Sequence, residues 1–430
     1  MRGENKEMGE AAQAPIRFDR RTAPRATRMA KEGGKMNLQF RQAIRCATGT
    51  MIVCLLITTA SHSQSAMSGM GKKPQMSEDA FKNIQVLRGI PVDEFMGTMG
   101  FFAASLNMNC TDCHVTESAG DWSRYADDTP LKQTARRMVL MENLINRSDF
   151  GAMRKVTCFT CHRGYQIPEV TPSLDEQYGP PPAADPDRVE MLPKATPSPE
   201  AAAQILDKFI QAVGGTQQLA KLTSFTAKGT YSGFDTDFKK VPAEIFGKAP
   251  NQRSTVNHLP GGDNTAAYDG HEGWVAAADK PVSPIVLSGG DLDGARMDAD
   301  ISFPTLLKQD LSNLHAGFPP VTLNGHAVQV VEGAAPGGTR VKLFFDKTTG
   351  LLVRQTRLTE TVVGLTPLHV DYSDYRLVPG SGVKMPFKIA LTWVDGQSTT
   401  ELISVAPNSA VAADKFVKPA TTTSRVTMSK

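Results

Sequence analysis

A chain of 430 residues exceeds what one ordinary domain holds, so two folded units with connecting segments are expected. Its 40% hydrophobic and 21% charged residues are a globular composition, which sets aside a fibrous or wholly disordered chain. A net charge of +3 supplies no whole-chain attraction to nucleic acid or to an anionic membrane, and no nucleic-acid partner is expected.

The apolar run at residues 47–60 (ATGTMIVCLLITTA) follows Lys35, Arg41 and Arg45 and precedes the small polar residues 61–66. That order of charged, apolar and small residues is a secretory signal, and it falls short of the ~20 residues a membrane span needs. Residues 1–65 therefore read as an N-terminal extension and signal peptide that delivers the chain to the periplasm; an uncleaved anchor in the inner membrane is the alternative. Cys46 and Cys54 belong to this region, which leaves Cys110, Cys113, Cys158 and Cys161 to the mature chain.

Residues 66–166 are expected to form a mainly α domain. Asp93 and Glu94 stand where a helix N-terminus favours negative charge, and the apolar pattern over residues 95–106 carries Met96 and Met99 three apart on one face. Cys110-Thr111-Asp112-Cys113-His114 follows. Thr129-Pro130, a cap and an N1 proline, opens a second helix whose inner face is expected to be Leu131, Ala135, Met138, Met141 or Glu142, and Ile145. Cys158-Phe159-Thr160-Cys161-His162 comes after it, so the region repeats one unit: a helix presenting methionine, a chain reversal, then CxxCH.

Residues 167–197, with Pro180, Pro181 and Pro182 consecutive, cannot bury a core and read as a linker. Ser198-Pro199 then opens a helix with Ala202, Ile205, Leu206, Phe209, Ile210 and Val213 on one face, closed by Gly214-Gly215. Alternating segments near 225–231, 266–275, 328–331, 341–345, 351–356, 368–375, 384–394 and 399–405 follow, joined in part by short turns at 346–350, 379–382 and 395–396. Consecutive strands joined by hairpins pair antiparallel, so residues 198–422 are expected to form a mainly antiparallel β domain. Phe303, Leu306, Leu307 and Leu311 predict a helix laid across one face of it.

In each CxxCH the two thiols have the spacing to add across the two vinyl groups of a haem, and the next residue places an imidazole under the iron. The competing chemistries fit less well. Zinc sites built from two CxxC pairs have a spacer of ~15–20 residues and no need of His after both pairs, and a redox disulfide expects a βαβ context. Two covalently attached haem c groups are therefore expected, bound through Cys110, Cys113 and His114 and through Cys158, Cys161 and His162. A sixth ligand is needed unless the iron is to stay open. Met96, Met99, Met138 and Met141 are the candidates, although a helical methionine is more often core filler. Thioether ligation opposite His fills the coordination sphere and favours electron transfer over oxygen chemistry.

Residues 105–114 (SLNMNCTDCH), 135–146 (ARRMVLMENLIN) and 156–164 (VTCFTCHRG) resemble the cytochrome subunit of bacterial photosynthetic reaction centres, over residues 77–165 only. The resemblance implies that a helix methionine is the distal ligand, carrying that role to Met99 opposite His114 and to Met138 opposite His162, with Met96 and Met141 as fallbacks. That family binds four haems, one of them through a distal histidine just before the second CxxCH; here Ser148-Asp149-Phe150 occupies that place. Residues 268–274 (YDGHEGW), 345–351 (FDKTTGL) and 383–387 (VKMPF) are similar to periplasmic lipoprotein carriers and sorting factors. That resemblance implies a curved sheet, a half-barrel wrapped around a helix, that holds acyl chains. His258, His271, His315, His326 and His369 are scattered without ligand spacing and define no site.

The sequence thus predicts a multidomain chain, a mainly α dihaem cytochrome c domain followed by a half-barrel β domain. Its expected role is periplasmic electron transfer between unidentified donor and acceptor proteins, with no catalytic residue, and with a partner, hydrophobic ligand or lipid in the β domain. A dihaem peroxidase-like enzyme, and a haem-based redox sensor or lipid carrier, are the alternatives.

Overall fold

A computed structural model describes residues 74–180, 198–278, 280 and 282–420. The expected signal segment and most of the expected linker lie outside the described residues. The first part is helical: α1 (Ser77–Ala80), α2 (Val92–Leu106), α3 (Cys110–Cys113), α4 (Pro130–Asp149), α5 (Cys158–His162) and α6 (Leu174–Tyr178). The caps form as the residue types demand. Thr129 Oγ1 accepts from Lys132 N at 3.1 Å at the start of α4, and Ser198 Oγ does the same for Ala201 N, at 3.1 Å, at the start of α7 (Pro199–Ala212). A short helix α8 (Gly215–Leu219) follows.

The inner face of α4 meets the expectation at Glu142, the alternative to Met141, and departs from it at Leu131 and Met138. Val139, Glu142 and Asn146 are buried, whereas Leu131, Met138 and Met141 are 38%, 39% and 47% exposed. The turn of the helix is decided by polar bonding from Asn146 to the segment leading into α5, which rotates the methionine stripe out of the core.

The second part is one antiparallel sheet. Its strands are β1 (Ser224–Gly233), β2 (Val241–Lys248), β3 (Gln252–Leu259), β4 (Gly262–Tyr268), β5 (Gly273–Ala277), β6 (Ile285–Val286), β7 (Ser312–His315), β8 (Val321–Leu323), β9 (His326–Ala334), β10 (Arg340–Asp346), β11 (Leu352–Thr361), β12 (Gly364–Leu377), β13 (Lys384–Trp393) and β14 (Gly396–Pro407). The order is β6-β5-β4-β3-β2-β1-β14-β13-β12-β11-β10-β9-β7, with β8 beside β9. The segment read as one strand over 266–275 is two, because Asp269 turns the chain by accepting from His271 N and Glu272 N at 2.8 and 2.7 Å. The helix placed by Phe303 and its followers begins earlier, as α9 (Gly289–Ser302), and Phe303, Leu307 and Leu311 enter the core from α10 (Leu307–Asp310) and its flanks.

The sheet curls around α9. A β-carbon at Gly290 would stand 2.7 Å from Thr359 of β11, while Leu292 Cδ1 lies 3.1 Å from the β-carbon position of Gly273 in β5. In a flat sheet those strands, eight intervals apart in the order, would be separated by ~38 Å, whereas a helix with its side chains is only ~10–12 Å across. The concave face is closed by α7, whose Ala202, Leu206, Phe209 and Ile210 share one core with Leu343, Phe345, Val370 and Leu402. A cavity of about 70 Å³ remains there, lined by Phe209, Phe225, Ile245 and Leu402 with Arg253 and Asp298 at the rim. That is below the ~300 Å³ at which small-molecule pockets begin.

The helical part packs on the sheet within the same unit. Asp93 of α2 accepts from Ser288 N at 2.5 Å and from Ser288 Oγ at 2.8 Å, at the start of α9.

Candidate functional site

Each CxxCH forms a single helical turn, too short to persist unless its ends are tied. The N-terminal end of each is tied, by different residues in the two motifs. At α3, Asn109 Oδ1 accepts from Thr111 N and Asp112 N at 2.9 and 3.1 Å, and Asp112 Oδ2 accepts from Asn109 N at 2.8 Å. At α5, Thr157 Oγ1 accepts from Thr160 N at 3.3 Å and Thr160 Oγ1 accepts from Thr157 N at 3.0 Å. This reciprocal cap fixes the two thiols of each motif three residues apart on one helical face.

The histidines are held alike. His114 Nδ1 meets the Tyr125 carbonyl at 3.1 Å and His162 Nδ1 meets the Tyr165 carbonyl at 3.0 Å. A carbonyl only accepts, so Nδ1 carries the proton in each ring and Nε2 is left with its lone pair. Burial, then the charge of Lys132, holds the His114 pKa below its usual value and keeps the imidazole in the neutral, ligating form. Its ring lies 4.8 Å from that of Tyr125, which stacks on Trp122 at 5.0 Å. Thr129 Oγ1 donates to the Cys113 carbonyl at 2.5 Å, joining the first motif to the start of α4.

All four cysteines of the described residues are free thiols. Burial pushes the Cys113 thiol up, and burial followed by the neighbouring Glu142 pushes Cys158 up to about 12. Among the described residues no three His, Cys, Asp or Glu side chains stand where they could share a metal ion, so the two pairs do not converge on one tetrahedral centre.

The two motifs come together at one cleft. Gly164, just past His162, donates its amide to the Ser105 carbonyl near the end of α2 at 2.9 Å. The open space of about 460 Å³ beside that bond is lined by Leu106, Asn107, Met108 and Asp112 from the first motif's side and by Gly164, Tyr165 and Gln166 from the second's. Met99 is partly buried and packs, with Cys158, against a small core of Leu87, Ile90, Phe101, Val139 and Val363. Met138 and Met96 are 39% and 42% exposed. The donor set therefore suits haem c: paired thiols on capped turns, a neutral imidazole with Nε2 available, and exposed apolar and thioether side chains on the adjoining helices.

The sequence offers Glu142 only as an alternative for the inner face of α4 and does not single out Asn146. Glu142 is 5% exposed, with Oε2 3.5 Å from Cys158 Sγ, and burial raises its pKa. Asn146 bonds the backbone of Lys155 and Val156. The signal was there in two polar residues four apart on an otherwise buried arc of α4. In the sheet, His258 pairs with Asp263 at 2.8 Å and His326 with the buried Asp346 at 3.0 Å as separate contacts.

A helical segment with two CxxCH turns, continuing into a curled antiparallel sheet, defines the class of molecule. Residues 46–193 match the family model of the photosynthetic reaction centre cytochrome c subunit. The subunit of that name from Thermochromatium tepidum is 38% identical over 101 residues, 22% of this chain and 23% of that protein. Its counterpart from Roseobacter denitrificans is 31% identical over 102 residues, 22% of this chain and 27% of that protein. The chain spans about a quarter of the length of these curated relatives. Among solved structures, a LolA superfamily protein from Nitrosomonas europaea covers 50% of this chain and 97% of its own, at 15% identity and a TM-score of 0.36. An outer membrane lipoprotein-sorting protein domain from Vibrio parahaemolyticus covers the same shares at 12% identity and a TM-score of 0.35. No helix among the described residues is long and apolar enough to cross a membrane.

Proposed function

We propose that this chain is an exported c-type cytochrome that carries two covalent haems and passes single electrons in the periplasm. Cys110 and Cys113 would hold the first haem and Cys158 and Cys161 the second, with His114 and Met99, and His162 and Met138, as the side chains that would bind the two irons. The bound groups supply a reversible one-electron change at iron. The protein's share is to hold both imidazoles in one tautomer, to offer a thioether from an adjoining helix to each iron, and to keep the two sites beside one cleft.

The observation that carries this reading is the repeated anchoring of both motif histidines through Nδ1 to a backbone carbonyl, on two capped turns built from different residues. Metal-bound histidines are oriented in this manner by a second partner, and disulfide chemistry has no use for it. The match of residues 46–193 to a cytochrome family supports the same chemistry. The sheet domain is read as the docking part, for a partner or a hydrophobic ligand.

A pyridine haemochrome assay with intact-mass measurement tests the proposal. Two haems per chain, a low-spin spectrum, and a change to high spin in Met99→Ala and Met138→Ala are expected. Colourless protein without added mass rules the reading out, and an unchanged low-spin spectrum with rapid peroxide turnover in the two variants favours the peroxidase-like alternative.

A further inference from the structure

β11 and β12 are joined by a two-residue turn, Val362 and Val363, between the paired residues Thr361 and Gly364. Turns of this length favour Asn-Gly and other glycine-containing pairs, and two β-branched apolar residues have no turn chemistry to recommend them. Burial explains them. Val363 is 0% exposed and belongs to the core of Leu87, Ile90, Phe101 and Val139, against which Met99, Phe102, Val362 and Cys158 also pack. The tip of a sheet hairpin thus completes the small core on which the second CxxCH rests.

Two more contacts fix the tip there. Arg154, four residues before Cys158, donates from Nη1 to the Thr361 carbonyl at 2.5 Å and pairs with Glu360 Oε1 at 2.9 Å. At Gly364, with φ +159°, a β-carbon would stand 2.2 Å from Phe101 Cζ, so the α2 aromatic lies directly on the turn backbone. The first motif is braced differently, by Tyr125 and Thr129 of its own segment.

We propose that the β11–β12 turn is a wall of the second haem site, in which Val363 and Arg154 are positioning residues that set that haem's potential and couple it to the sheet. The inference rests on haem attachment at Cys158 and Cys161. A dry apolar wall disfavours the more positively charged ferric form and so raises the potential on that side. Linkage makes the contact work both ways: whatever moves the hairpin shifts the ferrous/ferric balance, and a change of oxidation state alters how firmly the hairpin is docked.

Two variants of the full chain test this. Val362→Ser with Val363→Ser removes the apolar tip with residues that fit the negative φ of both turn positions, and Arg154→Gln removes the clamp without touching the core. Spectropotentiometric titration resolves the two haems, assigned with the Cys110→Ala/Cys113→Ala variant, which keeps only the second attachment site. At fixed poise the ferrous-to-ferric ratio of the second haem is expected to fall by on the order of threefold or more in each variant; the first haem stays unmoved in Arg154→Gln and shifts by less than the second in the double variant, because Met99 packs on the same core. In the wild type, amides of residues 358–367 are expected to exchange at different rates in dithionite-reduced and ferricyanide-oxidised protein. An unchanged second haem, an equal shift of both haems, or identical exchange in the two oxidation states overturns the proposal while leaving the cytochrome reading intact. If the double variant does not fold, Arg154→Gln decides by the same titration. Wild-type protein lacking two covalent haems removes the cytochrome reading itself.

Discussion

Asn146→Ala is the sharpest perturbation of how the second motif is held. Asn146 is 6% exposed; its Oδ1 accepts from Lys155 N and Val156 N at 2.9 and 3.0 Å, and its Nδ2 donates to the Val156 carbonyl at 2.7 Å. The side chain behaves as a strand partner for the two residues that lead into α5. Alanine leaves three backbone groups without that partner. A buried polar group so stranded costs about 1–3 kcal/mol, and water recovers part of this because Lys155 is exposed, so a local loss of about 2–4 kcal/mol is expected. By the factor of ten per ~1.4 kcal/mol, the amides of Lys155 and Val156 should exchange at least about 30-fold faster than in the wild type. Native-state hydrogen exchange, referenced to amides in the middle of β12, reads this directly. Asn146→Asp keeps both acceptor contacts but loses the donation to Val156, and should fall between the two. Acceleration below about threefold in the alanine variant would refute the claim that this side chain holds the segment.

Asp300 is 0% exposed, its nearest cation Arg296 Nε stands 3.7 Å away, and burial followed by Asp310 pushes its pKa up to about 6 from 3.8. A carboxyl raised in this sense stabilises the fold fully below about 3.8 and loses that contribution as pH rises through 6, so Asp300→Asn should be the more stable form at pH 7.5 by about 2–3 kcal/mol. Urea midpoints at pH 4.5 and 7.5 check the sign, and parallel pH dependence in both proteins contradicts it. Thr129→Ala removes the cap of α4 and the bond to the Cys113 carbonyl, for a loss of about 1–2 kcal/mol seen as a lower Tm. Gly364→Ala drives a β-carbon into Phe101 and should cost about 1–3 kcal/mol; combined with Phe101→Ala the two effects should sum to less than their separate values in denaturant titrations.

Much of the helical part is legible in the chain because its signals are local. Thr129-Pro130 and Ser198-Pro199 start helices in the structure because a hydroxyl cap and an N1 proline act within one turn of backbone. The face that a helix buries is not a local property. Met138 and Met141 satisfy the periodicity of an inner stripe, yet the stripe beside it is buried, because Asn146 finds backbone partners there that no spacing in α4 announces. β2 and β3 escaped notice for a related reason. Residues such as Gln252, Arg253, Thr255 and Asn257 carry little alternation of polarity, and their pairing is imposed by β1 and β4 on either side.

The sequence alone sets thiol, thiol and imidazole at fixed covalent spacing within one turn of chain at both motifs, and it determines that a helical region precedes an antiparallel one. Only the tertiary structure decides that Val363, some two hundred residues beyond Cys158, lies in the same small core, that Gly164 closes onto Ser105, and that strands from opposite wings of the sheet reach one helix. Those contacts depend on the curl of the sheet and on how separate segments bury their apolar surface against one another, and a linear order of residues carries no record of either.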